Sequence, residues 1–356
     1  MEKPILAAFL SCEGCVLTSQ EKKIFEKANP LGISIFSRNI KNKQQIKNLI
    51  KEIKETIGRK DLLIAVDQEG GRVRRLTEPD FFSYSAQIDI GALPLDEAVK
   101  ASELHAKLIS LDLKEMEINV NFAPVLDIIH PKTTPALKSR CFSSIPQTVS
   151  LLGKTMVEEY TKKGILPCIK HIPGHGLAEN DPHLGLPIIK SSLEEIIQET
   201  LPFQTCSNAP LGMTAHILIE AIDKENPLTQ SNLGIKKLIR EIIGFKGLLI
   251  SDSIDMKALK GNIVQKATNA INAGCDCICY CMGNIDELEA LSVNCPNLSD
   301  AALERLDKSL QILHNTNKPE EDSVLRAQYT SLMGKISPYN ETYDATEVLH
   351  QLQKKD

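Results

Sequence analysis

Eight short apolar runs punctuate the chain: Ile5–Leu10, Gly32–Phe36, Leu62–Val66, Ile118–Phe122, Ile165–Ile169, Leu211–Ala215, Gly247–Ile250 and Gly274–Tyr280. Most are continuous rather than alternating, the pattern of strands covered on both faces. Between them lie amphipathic stretches of helical period: Gln44–Ile57, Leu95–Met116, Ser150–Lys163, Leu193–Phe203 and Leu233–Ile243. This alternation predicts an α/β fold, a parallel (β/α)8 TIM barrel. An open doubly wound sheet is the competing architecture. It places a Gly-rich phosphate turn after its first strand, and Ser11-Cys12-Glu13-Gly14-Cys15 matches that turn poorly. After Tyr280 the pattern predicts closing helices over Ile285–Leu291 and Ala301–Leu313. No Gly- or Ser-rich linker interrupts the chain, so residues 1–356 are expected to form one domain. Residues 318–356, polar and broken by Pro338, are expected to add a helix and a tail packed on the barrel.

Composition narrows the function classes. Forty-six acidic against forty-one basic residues leave a net charge of −5, so no broad basic field awaits a nucleic-acid backbone. No apolar run approaches the roughly 20 residues of a bilayer span, and no membrane partner is expected. Trp is absent and aromatics make up 4% of the chain, which argues against an exposed platform for stacking along polysaccharides. Lys3, Ile5–Leu10 and Cys12 mimic a short export signal, but the apolar part is at or below the low end of a signal core, about 7–15 residues. A first buried strand and a cytoplasmic protein are the expectation. The ten cysteines form no regular framework and are expected as reduced thiols. Cys275, Cys277, Cys279 and Cys281 share a strand face, but successive Cα atoms lie about 6.6 Å apart at about 3.3 Å rise per residue. One zinc ion cannot collect them without breaking the strand, so small thiols filling a barrel interior are expected instead.

Polar residues gather just after the strands, where active-site groups converge in a parallel barrel. Leu62–Val66 runs into Asp67-Gln68-Glu69-Gly70-Gly71-Arg72, a carboxylate followed by glycines that let the backbone turn sharply beside a ligand. A salt-bridged loop is the equal alternative there. Lys170-His171-Ile172-Pro173-Gly174-His175-Gly176, then Asp181-Pro182-His183, leaves the strand Ile165–Ile169 with three His before the chain regularises. Such a loop inside a compact domain points to function. His171, His175, Asp181 and His183 have the chemistry of zinc ligands, although the Pro-Gly interruption opposes a helical pair. In the other reading Asp181 orients His183 for proton transfer. Asp252 follows Gly247–Ile250. It suits either a helix cap or a nucleophile at an acetal carbon.

Asp67-Gln68-Glu69-Gly70-Gly71-Arg72-Val73, Asn121-Phe122-Ala123-Pro124-Val125-Leu126-Asp127, Lys170–Gly176, Met213-Thr214-Ala215-His216 and Ser251-Asp252 occur in that order. Together they resemble the family 3 glycoside hydrolases, most closely the short single-domain branch of bacterial β-N-acetylglucosaminidases. The similarity runs from Ile5 to at least Gly283. It implies a barrel that carries the whole active site and removes terminal N-acetylglucosamine from muropeptides in cell-wall recycling. It implies Asp252 as nucleophile, His183 as acid/base and Asp181 as the partner of His183. It places Asp67, Arg75, Arg140, Lys170 and His171 around the sugar. Three departures stand out. Leu137-Lys138-Ser139 before Arg140 differs from the family's small or acidic pattern, Pro182 replaces a small hydroxyl residue, and Ser253 stands where the family often has a second acid.

The implied reaction is a retaining double displacement that needs no cofactor and no metal, carried out by a monomer on a small sugar substrate. Two carboxyl groups do this work in most glycosidases, so a His acid needs a reason. Asp181 supplies one by favouring the imidazolium through opposite charge. The competing readings are a β-glucosidase or a phosphorolytic enzyme on the same fold, a zinc hydrolase built on the histidine loop, and a non-catalytic sugar-binding protein.

Overall fold

Both faces of each barrel strand are buried, and the side chains divide cleanly between them. Along the first strand Leu6, Ala8 and Leu10 join the outer core under the helices, while Ala7 and Phe9 point into the barrel. That division explains why the apolar runs read as continuous rather than alternating. The computed structural model describes residues 3–178, 180–182, 184–315 and 322–339.

The strands are β1 (Leu6–Leu10), β2 (Pro30–Ile35), β3 (Leu63–Val66), β4 (Val120–Asn121), β5 (Leu166–Ile172), β6 (Ile188–Ile189), β7 (Leu211–Thr214), β8 (Leu218–Ile219), β9 (Leu248–Ser253) and β10 (Cys277–Cys279). Strands β1, β2, β3, β4, β5, β7, β9 and β10 pair in parallel in that order. Pairing of Ala8 with Ile278 closes the ring. Ile188 and Ile189 of β6 pair with Leu218 and Ile219 of β8 in a small parallel sheet of their own. The fold is a closed (β/α)8 barrel, as the strand–helix alternation predicts.

Two strands differ from expectation in ways that matter for chemistry. β5 continues through Lys170 and His171 to Ile172, and β9 continues through Asp252 to Ser253. The apolar pattern stops earlier because the last residues of these strands face the barrel mouth, where polar side chains find partners. The helix expected over Leu193–Phe203 is broken into Leu193–Glu199 and Leu201–Thr205, with Pro202 in the first turn of the second piece. Helices over Ser19–Ala28 and Ile263–Ala273 complete the outer ring. Each begins at a capping box, Thr18 with Glu21 and Asn262 with Gln265.

The barrel interior is packed. Phe9 and Phe122 meet edge to face at 5.7 Å between ring centroids, with Cys168, Cys277 and Cys279 filling the space around them. Gly32 makes room for this: a Cβ there would stand 2.5 Å from the Phe9 ring and 2.6 Å from the Leu63 carbonyl oxygen. Gly32→Ala should therefore destabilise the fold by about 1–3 kcal/mol through overpacking. A lowered urea midpoint would register it, and an unchanged midpoint would contradict this account of the core.

Within the polar C-terminal segment, the helix Asp322–Met333 packs on the long helix Leu95–Glu115. Arg326 pairs with Asp112 at 2.8 Å, and Tyr329 Oη meets His105 Nδ1 at 2.9 Å. His105 Nε2 then donates to the Glu69 carbonyl at 2.8 Å. The C-terminal helix thus supports the loop after β3 from behind. Residues 318–321 and 340–356 of the expected extension lie outside the described residues.

Candidate active site

One mouth of the barrel is lined by side chains from the C-terminal ends of the strands and the loops that follow. Asp67 follows β3, Lys170 and His171 end β5, Met213 comes from β7, and Asp252 and Ser253 end β9. Arg75, Arg140, His175, Asp181 and Pro182 reach the same cavity from loops, and its volume is about 150 Å³.

The floor is a chain of buried charges. Lys170, 2% exposed, bridges Asp67 Oδ1 at 2.8 Å and Glu69 Oε1 at 2.6 Å. Arg140 grips Glu69 with two donors at 2.9 and 2.8 Å, and Arg75 reaches Asp67 at 3.3 Å. Arg140 also donates to His171 Nε2 at 3.3 Å, while His171 Nδ1 meets Asp127 Oδ2 at 2.7 Å. Arginine can only donate, so Nε2 accepts and Nδ1 carries the proton toward Asp127. Asp127 also receives the His175 backbone N–H at 2.6 Å, which ties the histidine loop to the segment that follows β4.

Burial drives these carboxyls up, but the cations beside them win. Arg140 and Lys170 hold Glu69 well below the usual carboxylate range, and Lys170 with Arg75 holds Asp67 below it. Burial likewise opposes the charge of Lys170, and the attraction of Asp67 and Glu69 leaves it raised. The cluster is therefore charged and internally compensated, a fixed set of donors and acceptors for hydroxyl groups.

The loop that carries Glu69 can turn this way because of two glycines with positive φ, Gly70 at 98° and Gly71 at 59°. A Cβ on Gly70 would lie 2.3 Å from the Ser85 carbonyl oxygen, and one on Gly71 would lie 2.6 Å from Ala86 Cβ. Gln68 holds the loop from inside. Its side chain accepts the N–H groups of Arg75 and Leu76 and donates to the Leu76 carbonyl.

Asp252 is 9% exposed and accepts the Ser253 N–H at 2.7 Å. Behind it His216 Nε2 donates to the Ser253 carbonyl at 2.9 Å, and Nδ1 meets Thr229 Oγ1 at 2.8 Å. His216 therefore braces the end of β9 and does not line the cavity. Ser253, in place of the family's second acid, donates to Asp255 Oδ1 at 2.5 Å, so a carboxylate is still present nearby. Asp181 and Pro182 line the cavity with Asp252, and the Pro182 carbonyl accepts the Ala258 N–H at 3.1 Å. His183 lies outside the described residues.

All the expected site residues that are described thus border this cavity: Asp67, Arg75, Arg140, Lys170, His171, Asp181 and Asp252. Glu69 and Asp127, absent from the residues the resemblance implies around the sugar, join the site through Arg140 and His171. Their signal was an acid two residues after Asp67, and an acid closing the Asn121–Asp127 run at the mouth. Among the described residues no three His, Cys, Asp or Glu side chains gather as a metal site.

The chemistry of His175 in the sequence is that of a candidate zinc ligand. It is 4% exposed and lines the cavity, and neither ring nitrogen has a hydrogen-bond partner among the described residues. Burial lowers it to about 4, against the pull of Asp127. Burial lowers His105 to about 4 as well. Unfolding frees both rings to take up protons near the ordinary value of 6.5. The unfolded chain then binds more protons than the native one, so stability should fall as pH drops from 6.5 toward 4. Each ring can account for on the order of 3 kcal/mol at the low end. Urea midpoints at pH 7 and pH 5 check this, and a midpoint that rises on acidification would contradict it.

Residues 10–315 match the glycosyl hydrolase family 3 N terminal domain. The chain belongs to glycosyl hydrolase family 3. This family 3 hydrolase is 30% identical over 305 residues to a β-hexosaminidase of Idiomarina loihiensis, across 83% of this chain and 90% of that one. It is 34% identical over 274 residues to a β-hexosaminidase of Neisseria gonorrhoeae, across 74% of this chain and 75% of that one. Its fold superposes on NagZ from N. gonorrhoeae, solved in complex with N-trifluoroacetyl-D-glucosamine, with a TM-score of 0.81 and 29% identity. That match covers 93% of this chain and 98% of NagZ. The chain is a glycoside hydrolase.

Proposed function

We propose that this hydrolase is a retaining exo-β-N-acetylglucosaminidase acting on the terminal N-acetylglucosamine of muropeptides. The observation that carries the reading is Asp252 at the end of β9, lining the same small cavity as the Lys170–Asp67–Glu69–Arg140 cluster. A cavity of about 150 Å³ with a charged, hydrogen-bonding floor suits one terminal sugar rather than the interior of a polymer. The β-hexosaminidase relatives support the acetamido sugar, and the resemblance to the recycling branch supports the muropeptide.

In this mechanism Asp252 attacks the anomeric carbon while protonated His183 donates to the leaving oxygen. The bond from that carbon to the leaving oxygen breaks as the bond to Asp252 forms. Neutral His183 then takes a proton from water, whose oxygen displaces Asp252 and releases the sugar with its starting configuration. Asp181 accepts the other ring proton of His183 and favours its charged form. Asp67, Arg75, Arg140, Lys170 and His171 hold the sugar hydroxyls. Neutral His175 offers one donor and one acceptor to the same ring.

The test is turnover of chromogenic β-N-acetylglucosaminide and β-glucoside side by side, in phosphate and in phosphate-free buffer. The reading expects release from the acetamido substrate alone and free sugar in both buffers. Preference for the glucoside, or sugar 1-phosphate in phosphate buffer, would overturn it.

A further inference from the structure

Two sulfur atoms in the cavity wall take no part in the cluster described above. β10 turns Cys279 toward the barrel interior, and the chain leaves the barrel at Cys281. Both residues line the cavity, and their Sγ atoms stand 3.6 Å apart. Cys279 is 1% exposed and Cys281 is partly exposed, so an entering reagent meets Cys281 first.

The backbone beneath the pair is tied down. The Cys279 N–H donates to Ser251 Oγ at 3.1 Å, and the Cys281 N–H donates to Asp255 Oδ1 at 3.0 Å. Arg38 Nη2 holds the Cys281 carbonyl at 2.6 Å. A disulfide needs the sulfurs at about 2.05 Å with the Cβ atoms about 3.8 Å apart, which alternate residues on a strand meet poorly. A third atom bridging the two sulfurs is another matter. With sulfur bonds of about 2.3 Å, as for thiolate on zinc, a near-tetrahedral centre holds its two sulfurs about 3.8 Å apart. The observed spacing already has that bite.

We propose that Cys279 and Cys281 form a dithiol modification site in the wall of the sugar cavity, taking trivalent arsenicals and similar thiophilic centres that accept two sulfurs. An organoarsenic oxide loses its As=O bond and gains two As–S bonds. The two thiol protons leave with the oxygen as one water, and arsenic keeps its oxidation state. Contact with Cys279 and burial hold the Cys281 thiol protonated, so both protons are available to that water. After Cys281 bonds, the second bond closes within one molecule, at high effective concentration. The arsenic and its substituent then occupy the cavity beside Ser253 and Asp255 and shut out the sugar.

The test is intact-mass spectrometry of the full chain with phenylarsine oxide, which reads the site independently of turnover. One adduct per chain is expected, stable to excess monothiol and removed by a dithiol such as 2,3-dimercaptopropanol. Peptide mapping after alkylation should find Cys279 and Cys281, and no other pair, blocked. Cys279→Ser and Cys281→Ser should each retain the adduct at least about 100-fold more weakly, since the chelate is lost. Cys15→Ser, which removes the partly exposed thiol whose Sγ lies 3.2 Å from the Arg38 carbonyl, should leave it unchanged. Hydrolysis of the chromogenic β-N-acetylglucosaminide should disappear with the adduct and return with dithiol. Blockage of a different pair in the wild-type chain, clearance by monothiol, or full hydrolysis by the adduct would overturn the proposal.

Discussion

Asp252→Ala is expected to lower kcat on the aryl β-N-acetylglucosaminide by at least about 10³-fold, some 4 kcal/mol of barrier. Sugar binding should persist within a few-fold. The reason is the division of labour in the cavity. Asp67, Arg75, Lys170, Arg140 and His171 are joined to one another, through Glu69, in a charge-compensated network. In the proposed mechanism the substitution takes away the attacking atom, while the ion pairs among Asp67, Glu69, Arg75, Arg140 and Lys170 keep both of their partners. His216 still braces the Ser253 carbonyl, so the end of β9 should keep its path. Single-turnover kinetics together with calorimetric titration of N-acetylglucosamine separate the two effects. Near-normal turnover would exclude Asp252 as the nucleophile. Loss of sugar binding to the same extent as turnover would assign it to the binding floor.

Lys170→Met is expected to damage stability and sugar affinity together. Lys170 is 2% exposed and lies between Asp67 and Glu69, themselves held charged by the surrounding cations. Methionine keeps the length of the side chain but leaves two buried carboxylates sharing what Arg75 and Arg140 can supply. Removing one partner of such a buried arrangement costs about 3–5 kcal/mol. The urea midpoint should fall accordingly, and KM should rise at least tenfold, because the surviving charges repel and the floor loses its shape. Glu69→Gln made in the Lys170→Met background should recover part of the stability by removing one of the stranded charges. If the double variant is less stable than the two single losses added together, charge compensation is not what Lys170 provides.

Much of the architecture could be read from the chain because barrel strands buried on both faces are continuous apolar runs. Leu63–Val66 and Leu211–Thr214 lie within the runs at Leu62–Val66 and Leu211–Ala215. The errors fall where burial and apolarity part company. Lys170, His171, Asp252 and Ser253 are polar and still belong to strands, since ion pairs and backbone hydrogen bonds satisfy them at the mouth. Hydrophobic pattern carries no sign of such partners. The same limit hid Glu69 and Asp127. Each reads locally as a loop acid, and only the approach of Arg140 to one and His171 to the other, from segments remote in sequence, gives it a role in the site. Gly70 and Gly71 were readable as turn formers. What they avoid, the Ser85 carbonyl and the Ala86 side chain, belongs to tertiary packing. Cys277 and Cys279 fill the barrel interior as the strand pattern predicts, whereas Cys275 packs in the outer core and Cys281 lies past the end of β10 in the cavity wall. The 3.6 Å approach of Cys279 to Cys281 depends on how the chain leaves β10, which strand geometry alone does not describe.

The most direct measurement follows the anomer of the released sugar by proton NMR as it forms, before mutarotation mixes the two forms. Attack by Asp252 followed by water predicts β-N-acetylglucosamine first, with the α form growing in later. An α product at the earliest time points would mean a single displacement by water, and Asp252 would then not be the atom that bonds to carbon.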